Sequence, residues 1–347
     1  MITEIHAQPK AVAETLKSSV DEANAIVHQL NPDKLRMIYF TGSGTSYHAC
    51  LAANYALSSL TRIFGSCLPA SEFRTWVRHV RPEETLVVAV SQSGESSDIL
   101  AAAESAHTSG IRVVSITNTP GSALAKLSDF NLLSRAGEEK AVTATKSFTG
   151  TLAAAYAMVL QLALPKRMDD YQKAVSDLRG VPAKIDETIQ LCEHGVEVLA
   201  QQLKEKMVFF LLGSGSNYAA GMEGALKLKE ACDVYAEGFA TREFLHGPIQ
   251  LVNERTAVII LQSDPDDLET LSLSEGFRRF GASTIVISSR SKQPLSGEGL
   301  KLEVAAGIPE AFSTLVNVVP LQLYSYYSAL ARNLNPDRPV KLTKVVK

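Results

Sequence analysis

The sequence predicts an α/β protein with two domains, each a mainly parallel sheet flanked by helices. The first observation is length, because 347 residues exceed what one ordinary domain contains. The second is an alternation of short apolar, β-branched runs with segments of helical periodicity, which is typical of βαβ units. The third is an internal repeat, since a shift of 171 residues places Gly42–Ala49 on Gly213–Ala220. The repeat indicates a duplicated α/β domain.

Six apolar runs supply the candidate strands, three in each half of the chain. A charged segment of helical pattern, Pro165–Arg179, lies between the halves. We therefore expect domain 1 to span residues 1–175, with an N-terminal helix, and domain 2 to span residues 176–332. The segment 333–347 contains two prolines and is expected to be an irregular tail. The candidate strands are Leu35–Phe40, Thr85–Val90, Ile111–Ile116, Met207–Leu212, Thr256–Leu261 and Thr284–Ile287.

Composition argues against several classes of partner. Charged residues make up 20% of the chain and its formal net charge is -3, so no basic surface for nucleic acid is expected. The most apolar stretch, 152–165, is shorter than the roughly 20 residues of a membrane span. The four cysteines form no C-x-x-C pair, and no secretory leader opens the sequence. These features favour a reduced, cytoplasmic location.

Two hydroxyl-rich turns follow the first two candidate strands of the first half. They are TGSGTS, residues 41–46, and SQSGES, residues 91–96. At the carboxyl ends of parallel strands, such turns meet helix N-termini, whose free N–H groups favour a phosphate. Together they predict a phosphate site that contains no lysine or arginine. The corresponding turn of the second half, LQSDPD, has acids where the first offers hydroxyls, so we expect only the first half to hold an anion there.

Two other interpretations of these turns are open. The serines and glycines could simply cap helices and form turns. Alternatively, GSGTSY could belong to a dinucleotide-binding fold, although it lacks the third glycine of G-x-G-x-x-G. The P-loop motif G-x-x-x-x-G-K-[ST] is absent from the sequence.

The second half carries candidate acid–base groups. Glu223, Lys227 and Glu230 occupy one face of a predicted helix at positions i, i+4 and i+7. A solvated salt-bridge stripe would have the same spacing, but the other residues of this helix are mostly apolar, which predicts a buried helix with paired charges. In FLHGP, His246 precedes a glycine and a proline and is therefore expected in a turn. It could shuttle protons or serve as a hydrogen-bonded structural residue.

Taken together, these stretches resemble the sugar isomerase (SIS) family over almost the whole chain. The similar segments are EIHAQP, GSGTSYH, ASEF, SQSGESSD, TNTPGSAL, AGEEKAVTATKSF, EGALKLKE, FLHGP and DRPVKLTK. Within that family the chain is similar to the isomerase half of glucosamine-6-phosphate synthases and to glucosamine-6-phosphate deaminases. The resemblance implies two tandem SIS domains, a phosphorylated amino sugar or ketose as substrate, and a homodimer. It implies no metal and no other cofactor.

The resemblance also implies roles for individual residues. Glu230 matches the base that moves a proton between C1 and C2, His246 the ring-opening histidine, and Lys344 the lysine that contacts or condenses with the open-chain ketose. In the family the histidine reaches the site from a neighbouring subunit, and the C-terminal tail contributes the lysine. The substrate-binding residues are then Gly44, Thr45, Ser46, Ser91, Gln92, Ser93, Ser96, Val142, Glu223 and Lys227.

Departures from the synthase pattern favour a deaminase. The synthases have a glutaminase domain with an N-terminal cysteine, whereas this sequence starts Met1-Ile2 and has no cysteine before Cys50. Ala144 stands where synthases commonly have a serine, and AGEEKAV is more similar to the deaminases. We expect conversion of glucosamine 6-phosphate into fructose 6-phosphate and ammonia. Isomerisation or deglycation of another phosphosugar, and a non-catalytic phosphosugar sensor, are the alternatives.

Overall fold

The computed structural model describes residues 1–163, 168–289 and 300–344. Within these residues the chain forms two five-stranded parallel sheets and eleven α-helices. The strands are β1 (Met37–Gly42), β2 (Phe64–Pro69), β3 (Thr85–Val90), β4 (Arg112–Thr117), β5 (Phe130–Leu133), β6 (Val208–Gly213), β7 (Tyr235–Ala240), β8 (Thr256–Leu261), β9 (Ser283–Ser288) and β10 (Leu300–Glu303). The helices are α1 (Ile2–His6), α2 (Gln8–Leu30), α3 (Thr45–Leu60), α4 (Ala70–Trp76), α5 (Ser97–Thr108), α6 (Ala123–Leu127), α7 (Lys146–Ala163), α8 (Met168–Gln202), α9 (Ser216–Cys232), α10 (Leu268–Arg279) and α11 (Thr314–Ala331).

The chain divides into two compact units, and the division does not follow chain order throughout. The first unit carries β1–β5 and comprises Ala7–Glu139, Thr145–Pro182 and the tail from Thr343. The second unit carries β6–β10 and comprises Met1–His6, Lys140–Ala144 and Ala183–Leu342. The chain passes from one unit to the other inside α8, next to Pro182. Residues 164–167 of the expected linker and 345–347 of the expected tail lie outside the described residues.

The sheet of the first unit has the strand order β2-β1-β3-β4-β5. All six residues of β3 are buried, as expected for a central strand of a parallel sheet covered on both faces. On one face, Val87 and Ala89 belong to a core cluster with Phe73 of α4 and Ile99 of α5. Helix α7 packs against α2 and α3. This arrangement is the flanked parallel sheet that the sequence predicts.

The sheet of the second unit repeats this order as β7-β6-β8-β9-β10. Both bounds of β6, β7, β8 and β9 are 171 residues further along the chain than those of β1, β2, β3 and β4. The glycines before α3 and α9 also share a backbone conformation, with φ 54° and ψ −124° at Gly44 and φ 59° and ψ −131° at Gly215. The predicted internal duplication is confirmed, including its register.

Four strands were not predicted from the sequence, and all four lie at a sheet edge. They are β2, β5, β7 and β10. An edge strand need not bury both faces, so its sequence lacks the continuous apolar run of a central strand. Phe64 of β2, for example, is 64% exposed, and Gly65, Pro69 and Gly238 interrupt the apolar pattern of the edge strands. Of the six predicted strands, two have the predicted bounds and four are shifted or extended by one or two residues.

The apolar helices α7 and α11 pack within their own units. Helix α7 covers most of the apolar stretch noted above and is almost entirely buried against its own unit. None of the helices in the described ranges combines the length and hydropathy that a membrane span requires.

Candidate active site

The turns after β1 and β3 lie next to each other at the carboxyl edge of the first sheet. β1 pairs in parallel with β3, with Thr41 opposite Ala89, whereas the intervening β2 lies on the other side of β1. The strand order therefore reverses between β1 and β3, and ligands of open α/β sheets bind in the crevice at such a switch point. The two hydroxyl-rich turns, 41–46 and 91–96, meet at this crevice. The predicted phosphate site thus has the position that the topology favours.

The turn after β3 is fixed by its own serines. Ser91 Oγ accepts a hydrogen bond from the Gly94 backbone N–H at 3.1 Å, and Ser93 Oγ accepts one from Glu95 at 3.2 Å. Each hydroxyl keeps its own proton to donate to a ligand. Gly94 has φ 67°, and a Cβ at this position would lie 2.6 Å from Cβ of Ser122. A side chain there would force the turn to move, so glycine is required.

Two helix N-termini supply positive charge at this edge. Ser96 is the N-cap residue of α5, and Thr45 and Ser46 form the first turn of α3 after Gly44. Each helix N-terminus is equivalent to about half an elementary charge. The carboxylate of Glu95 accepts a hydrogen bond from the Ala123 backbone N–H at 2.9 Å, so it caps α6. The crevice can therefore bind an anion through hydroxyls, backbone N–H groups and helix dipoles.

Lys344 lies beside a buried carboxylate of the same unit, that of Glu139. Its Nζ is 3.8 Å from Glu139 Oε2 and donates a hydrogen bond to the Glu139 backbone carbonyl. The Glu139 side chain is fully buried, whereas that of Lys344 is 29% exposed. Glu139 Oε1 also accepts hydrogen bonds from the backbone N–H groups of Thr145 and Ser147, at 2.9 and 3.1 Å. The carboxylate is thus held by the start of α7 and in turn holds the lysine.

The three charged residues of α9 form the buried cluster that the sequence predicts. Lys227 Nζ lies 2.6 Å from Glu230 Oε2 and 3.4 Å from Glu223 Oε1. The side chains of Glu223 and Lys227 are fully buried, and that of Glu230 is 20% exposed. One ammonium group between two carboxylates avoids an unpaired buried charge and fixes the orientation of both. The solvated salt-bridge interpretation is therefore wrong for this helix, and Glu230 is the carboxylate that reaches solvent.

His246 lies in a turn, as predicted. It follows the 3₁₀ turn Glu243–Leu245 and precedes the 3₁₀ turn Pro248–Leu251. The next residue, Gly247, has φ 137°, a conformation that residues with a Cβ rarely adopt, so this turn requires glycine. The residue is exposed, and its imidazole has no hydrogen-bond partner among the described residues.

Val142 belongs to a short segment, 140–144, that joins the second unit. Its backbone N–H donates to the carbonyl of Asp337 at 3.0 Å. Thr143 Oγ1 donates to the carbonyl of Pro336 at 3.2 Å, and the backbone N–H groups of Lys140 and Ala141 donate to Glu4. The segment is therefore held by both ends of the second unit. The role of Val142 in substrate binding remains a prediction.

Three of the four cysteines are buried and poorly suited to act as nucleophiles. Burial raises the pKa of Cys50, and it raises the pKa of Cys192 to about 12 and that of Cys232 to about 11. These thiols are protonated near neutral pH, and the thiolate is the reactive form. Within the described ranges, no group of three or more histidine, cysteine, aspartate or glutamate side chains is arranged to hold a metal ion.

Comparison with known families identifies the fold. The SIS domain profile matches residues 34–161 and 202–332, so each sheet is covered by its own match. The chain belongs to the SIS domain family. Both matches contain the strand order and the glycine-containing turns described above. The tandem SIS architecture predicted from the sequence is therefore confirmed.

Individual SIS proteins resemble the chain over its full length. It is 34% identical to a glutamine–fructose-6-phosphate aminotransferase [isomerizing] of Clostridium tetani, with 100% of this chain and 58% of that protein aligned. The chain thus spans less than two thirds of the length of this curated relative. The C-terminal domain of glucosamine-fructose-6-phosphate aminotransferase from Francisella tularensis superposes with a TM-score of 0.88 at 28% identity, covering 98% of both chains. A glucosamine-6-phosphate deaminase of Thermotoga maritima shares the fold, with a TM-score of 0.74 at 24% identity over 97% and 99% of the two chains.

Sequence reasoning missed one residue of the candidate site, Glu139. Its motif, AGEEKAV, was noticed only as a family resemblance. A local signal could have found it. Glu139 lies six residues before Thr145 and eight residues before Ser147, at the start of α7, and its carboxylate accepts the backbone N–H groups of both. Its pairing with Lys344, 205 residues away, could not be read from the sequence.

Proposed function

We propose that the chain is a phosphosugar enzyme of the SIS family, a cytoplasmic glucosamine-6-phosphate deaminase that yields fructose 6-phosphate and ammonia. The observation that carries this proposal is the cation-free turn pair at the β1–β3 switch point, which is suited to a sugar phosphate. The resemblance to sugar-phosphate aminotransferase domains supports the same substrate class. A protein described as a glucosamine-6-phosphate deaminase, from Thermotoga maritima, has the same fold.

The proposed reaction is an isomerisation followed by hydrolysis. His246 takes the proton of the anomeric hydroxyl O1 and delivers a proton to the ring oxygen O5, so that the C1–O5 bond breaks and the pyranose opens to the aldehyde. Glu230 removes the proton from C2 and returns it to C1, while a second proton passes from the C2 nitrogen to O1; together these transfers convert the aldehyde and the C2 amine into a C1 alcohol and a C2 imine. Water adds to the imine carbon, and ammonia leaves to give the ketone at C2. Lys227 keeps the Glu230 carboxylate in place during both proton transfers.

Lys344 is proposed to bind the open-chain sugar near its carbonyl carbon. Its amine is partly exposed and is held by Glu139 at a fixed position in the unit that carries the phosphate turns. An ammonium group there stabilises negative charge that develops on the sugar oxygens during proton transfer. Its neutral form could instead condense with the ketose.

The phosphate assignment predicts the behaviour of the double substitution Ser91→Ala with Ser93→Ala. The KM for glucosamine 6-phosphate should rise about tenfold or more, because a hydrogen bond to a charged group is worth roughly 1.5–3 kcal/mol. Initial-rate kinetics on purified protein measures this effect. Unphosphorylated glucosamine should be handled equally poorly by both proteins. An unchanged KM in a folded double variant would show that the phosphate binds elsewhere.

In the family that the sequence resembles, the ring-opening histidine comes from a neighbouring subunit, so we propose that the exposed His246 completes the site of its partner in a homodimer. His246→Ala should lose most activity on glucosamine 6-phosphate and keep much more on an acyclic analogue that needs no ring opening. In a mixed two-fold dimer of one His246→Ala and one Glu230→Gln subunit, one of the two sites combines a native His246 with a native Glu230. Mixed dimers should therefore regain up to about one active site in two. Equal losses on cyclic and acyclic substrates would exclude ring opening, and absent complementation in verified mixed dimers would place each site within one chain.

A substrate panel tests the function itself. The protein is incubated with 2-amino and 2-hydroxy hexose 6-phosphates, and ammonia and ketose are measured separately. A deaminase releases ammonia and ketose in equal amounts from glucosamine 6-phosphate. Ketose without ammonia would identify an aldose–ketose isomerase, and binding without either product would identify a sensor.

A further inference from the structure

The carboxyl end of β4 supports the hydroxyl-rich turn 91–96 of the first unit. Three consecutive residues donate hydrogen bonds to the backbone carbonyl of Gln92 in that turn. The donors are Thr117 Oγ1 at 3.2 Å, the Asn118 backbone N–H at 3.1 Å and Thr119 Oγ1 at 3.3 Å. The turn is therefore attached to the residues that end β4 and follow it.

The side chain of Asn118 makes three hydrogen bonds to a second loop, residues 134–137. Its Oδ1 accepts from Ser134 Oγ at 3.0 Å and from the Ala136 backbone N–H at 2.8 Å. Its Nδ2 donates to the Gly137 carbonyl at 2.8 Å. These partners fix the orientation of the amide, because the Ala136 N–H can only donate and the Gly137 carbonyl can only accept. Asn118 thus joins the turn after β3 to the loop after β5, the first through its backbone and the second through its side chain.

Loop 134–137 has a backbone conformation that needs support from outside the loop. Arg135 has φ 43° and Gly137 has φ 70°, so both lie in the left-handed region. A residue with a Cβ is uncommon there and keeps this conformation only when its surroundings impose it. The Arg135 guanidinium pairs with Glu22 of α2 at 3.0 Å, which fixes the side chain. The backbone on both sides of Arg135 is held by Asn118.

The supported loop leads directly to Glu139, two residues after Gly137. The carboxylate of Glu139 is held by the start of α7, as described above. Its backbone carbonyl, which accepts a hydrogen bond from Lys344 Nζ, follows the loop that Asn118 holds. All of these groups belong to the first unit. A continuous series of hydrogen bonds therefore connects the turn 91–96 with the amine of Lys344.

We propose that Asn118 is a positioning residue that holds the Lys344 amine at a fixed place relative to the turn 91–96. The inference rests on the proposed function, in which that turn binds the phosphate of a sugar on which Lys344 acts. Loss of the Asn118 side chain releases loop 134–137, moves the Glu139 carbonyl and frees the amine. The turn itself keeps its bond to residue 118, because that donor is a backbone N–H.

Competitive lysine labelling tests this connection on the full chain without any substrate. The protein is treated briefly with a low concentration of acetic anhydride, and the acetylation rate of each lysine is measured by mass spectrometry. In the native protein Lys344 should react more slowly than Lys341, because the Lys344 side chain is hydrogen-bonded and 29% exposed whereas that of Lys341 is 82% exposed. Asn118→Ala should raise the rate at Lys344 about threefold or more through local opening and leave the rate at Lys341 unchanged.

Two further variants separate the connection from a general loss of stability. Asn118→Asp keeps the acceptor oxygen and loses only the donor to Gly137, so it should raise the Lys344 rate by a smaller factor. It also provides the measurement if Asn118→Ala fails to fold. Asn131→Ala is the matched control, because Asn131 accepts a hydrogen bond from Ser115 within the sheet and makes no bond to loop 134–137 among those of the described residues. It should leave the Lys344 rate unchanged.

Kinetics supplies a second readout, in which positioning and folding differ. Asn118→Ala should lower kcat on glucosamine 6-phosphate about tenfold and change the KM less than about threefold, because the phosphate turn is retained. In the Lys344→Met protein the same substitution should add little to the loss of kcat, because residues that act through one group are not additive. The Kd for inorganic phosphate, measured by isothermal titration calorimetry, should stay within about threefold of the native value.

The labelling rates decide the inference. It is overturned if Lys344 reacts as fast as Lys341 in the native protein, if neither Asn118 variant raises its rate, or if Asn131→Ala raises that rate equally. A full additional loss of kcat from Asn118→Ala in the Lys344→Met protein would also overturn it. Failure of the proposed function gives a different result, since the native protein would then release no ammonia from glucosamine 6-phosphate while the labelling rates still report on the lysine.

Discussion

Glu230→Gln should lower kcat on glucosamine 6-phosphate by about 10²–10⁴, the usual contribution of a general base. The substitution keeps the shape of the side chain and an acceptor for Lys227 Nζ, which lies 2.6 Å from the carboxylate in the native protein. Affinity for fructose 6-phosphate should therefore change little, and the loss should fall on kcat. Initial rates and product affinity are the two measurements.

Isotope exchange gives the Glu230 experiment its direct readout. In D₂O the native protein should introduce deuterium at C1 of fructose 6-phosphate, and Glu230→Gln should not. Glu205 is an exposed glutamate beyond α8, so Glu205→Gln is the matched control and should introduce deuterium at the native rate. Exchange at the native rate in Glu230→Gln would assign the base to another carboxylate, with Glu223 the first candidate.

Lys344→Met should lower kcat by about 10²–10³, the cost of removing one preorganised group that stabilises developing charge. Lys341→Met is the matched control from the same tail. Lys341 pairs with Asp233 at 3.4 Å, and both side chains are about 80% exposed, so this loss should cost less than twofold. Borohydride reduction in the presence of fructose 6-phosphate should label Lys344 only if it condenses with the ketose.

The partner of this lysine provides a coupling test. Glu139→Gln should lower kcat when Lys344 is present and should add little to Lys344→Met, because residues that act together are not additive. It will also lower stability, since the carboxylate accepts the backbone N–H groups of Thr145 and Ser147. Additive losses in kcat would show that Glu139 supports the start of α7 without positioning the lysine.

The sequence predicted the centre of each sheet better than its edges. The six predicted strands are the three central strands of each unit, because burial on both faces demands continuous apolar runs such as Thr85–Val90. The four edge strands escaped detection: β2, β5 and β7 carry glycine, proline or exposed side chains, and β10 alternates apolar with charged residues. The buried cluster on α9 was predictable because helical spacing alone brings Glu223, Lys227 and Glu230 together.

Contacts between distant parts of the chain were not predictable. Lys344 was placed in the site only through a family resemblance, and its pairing with Glu139 depends on the tail joining the first unit.

The tail from Thr343 belongs to the first unit but is translated long after the rest of that unit. Glu139 and Lys344 are separated by 205 residues, and ribosomes add about 5–20 residues per second. The first unit can therefore assemble its sheet and its phosphate turns roughly 10–40 s before its lysine has been translated. During that interval the nascent first unit contains the turns proposed to bind the phosphate but not the amine proposed to act on the sugar.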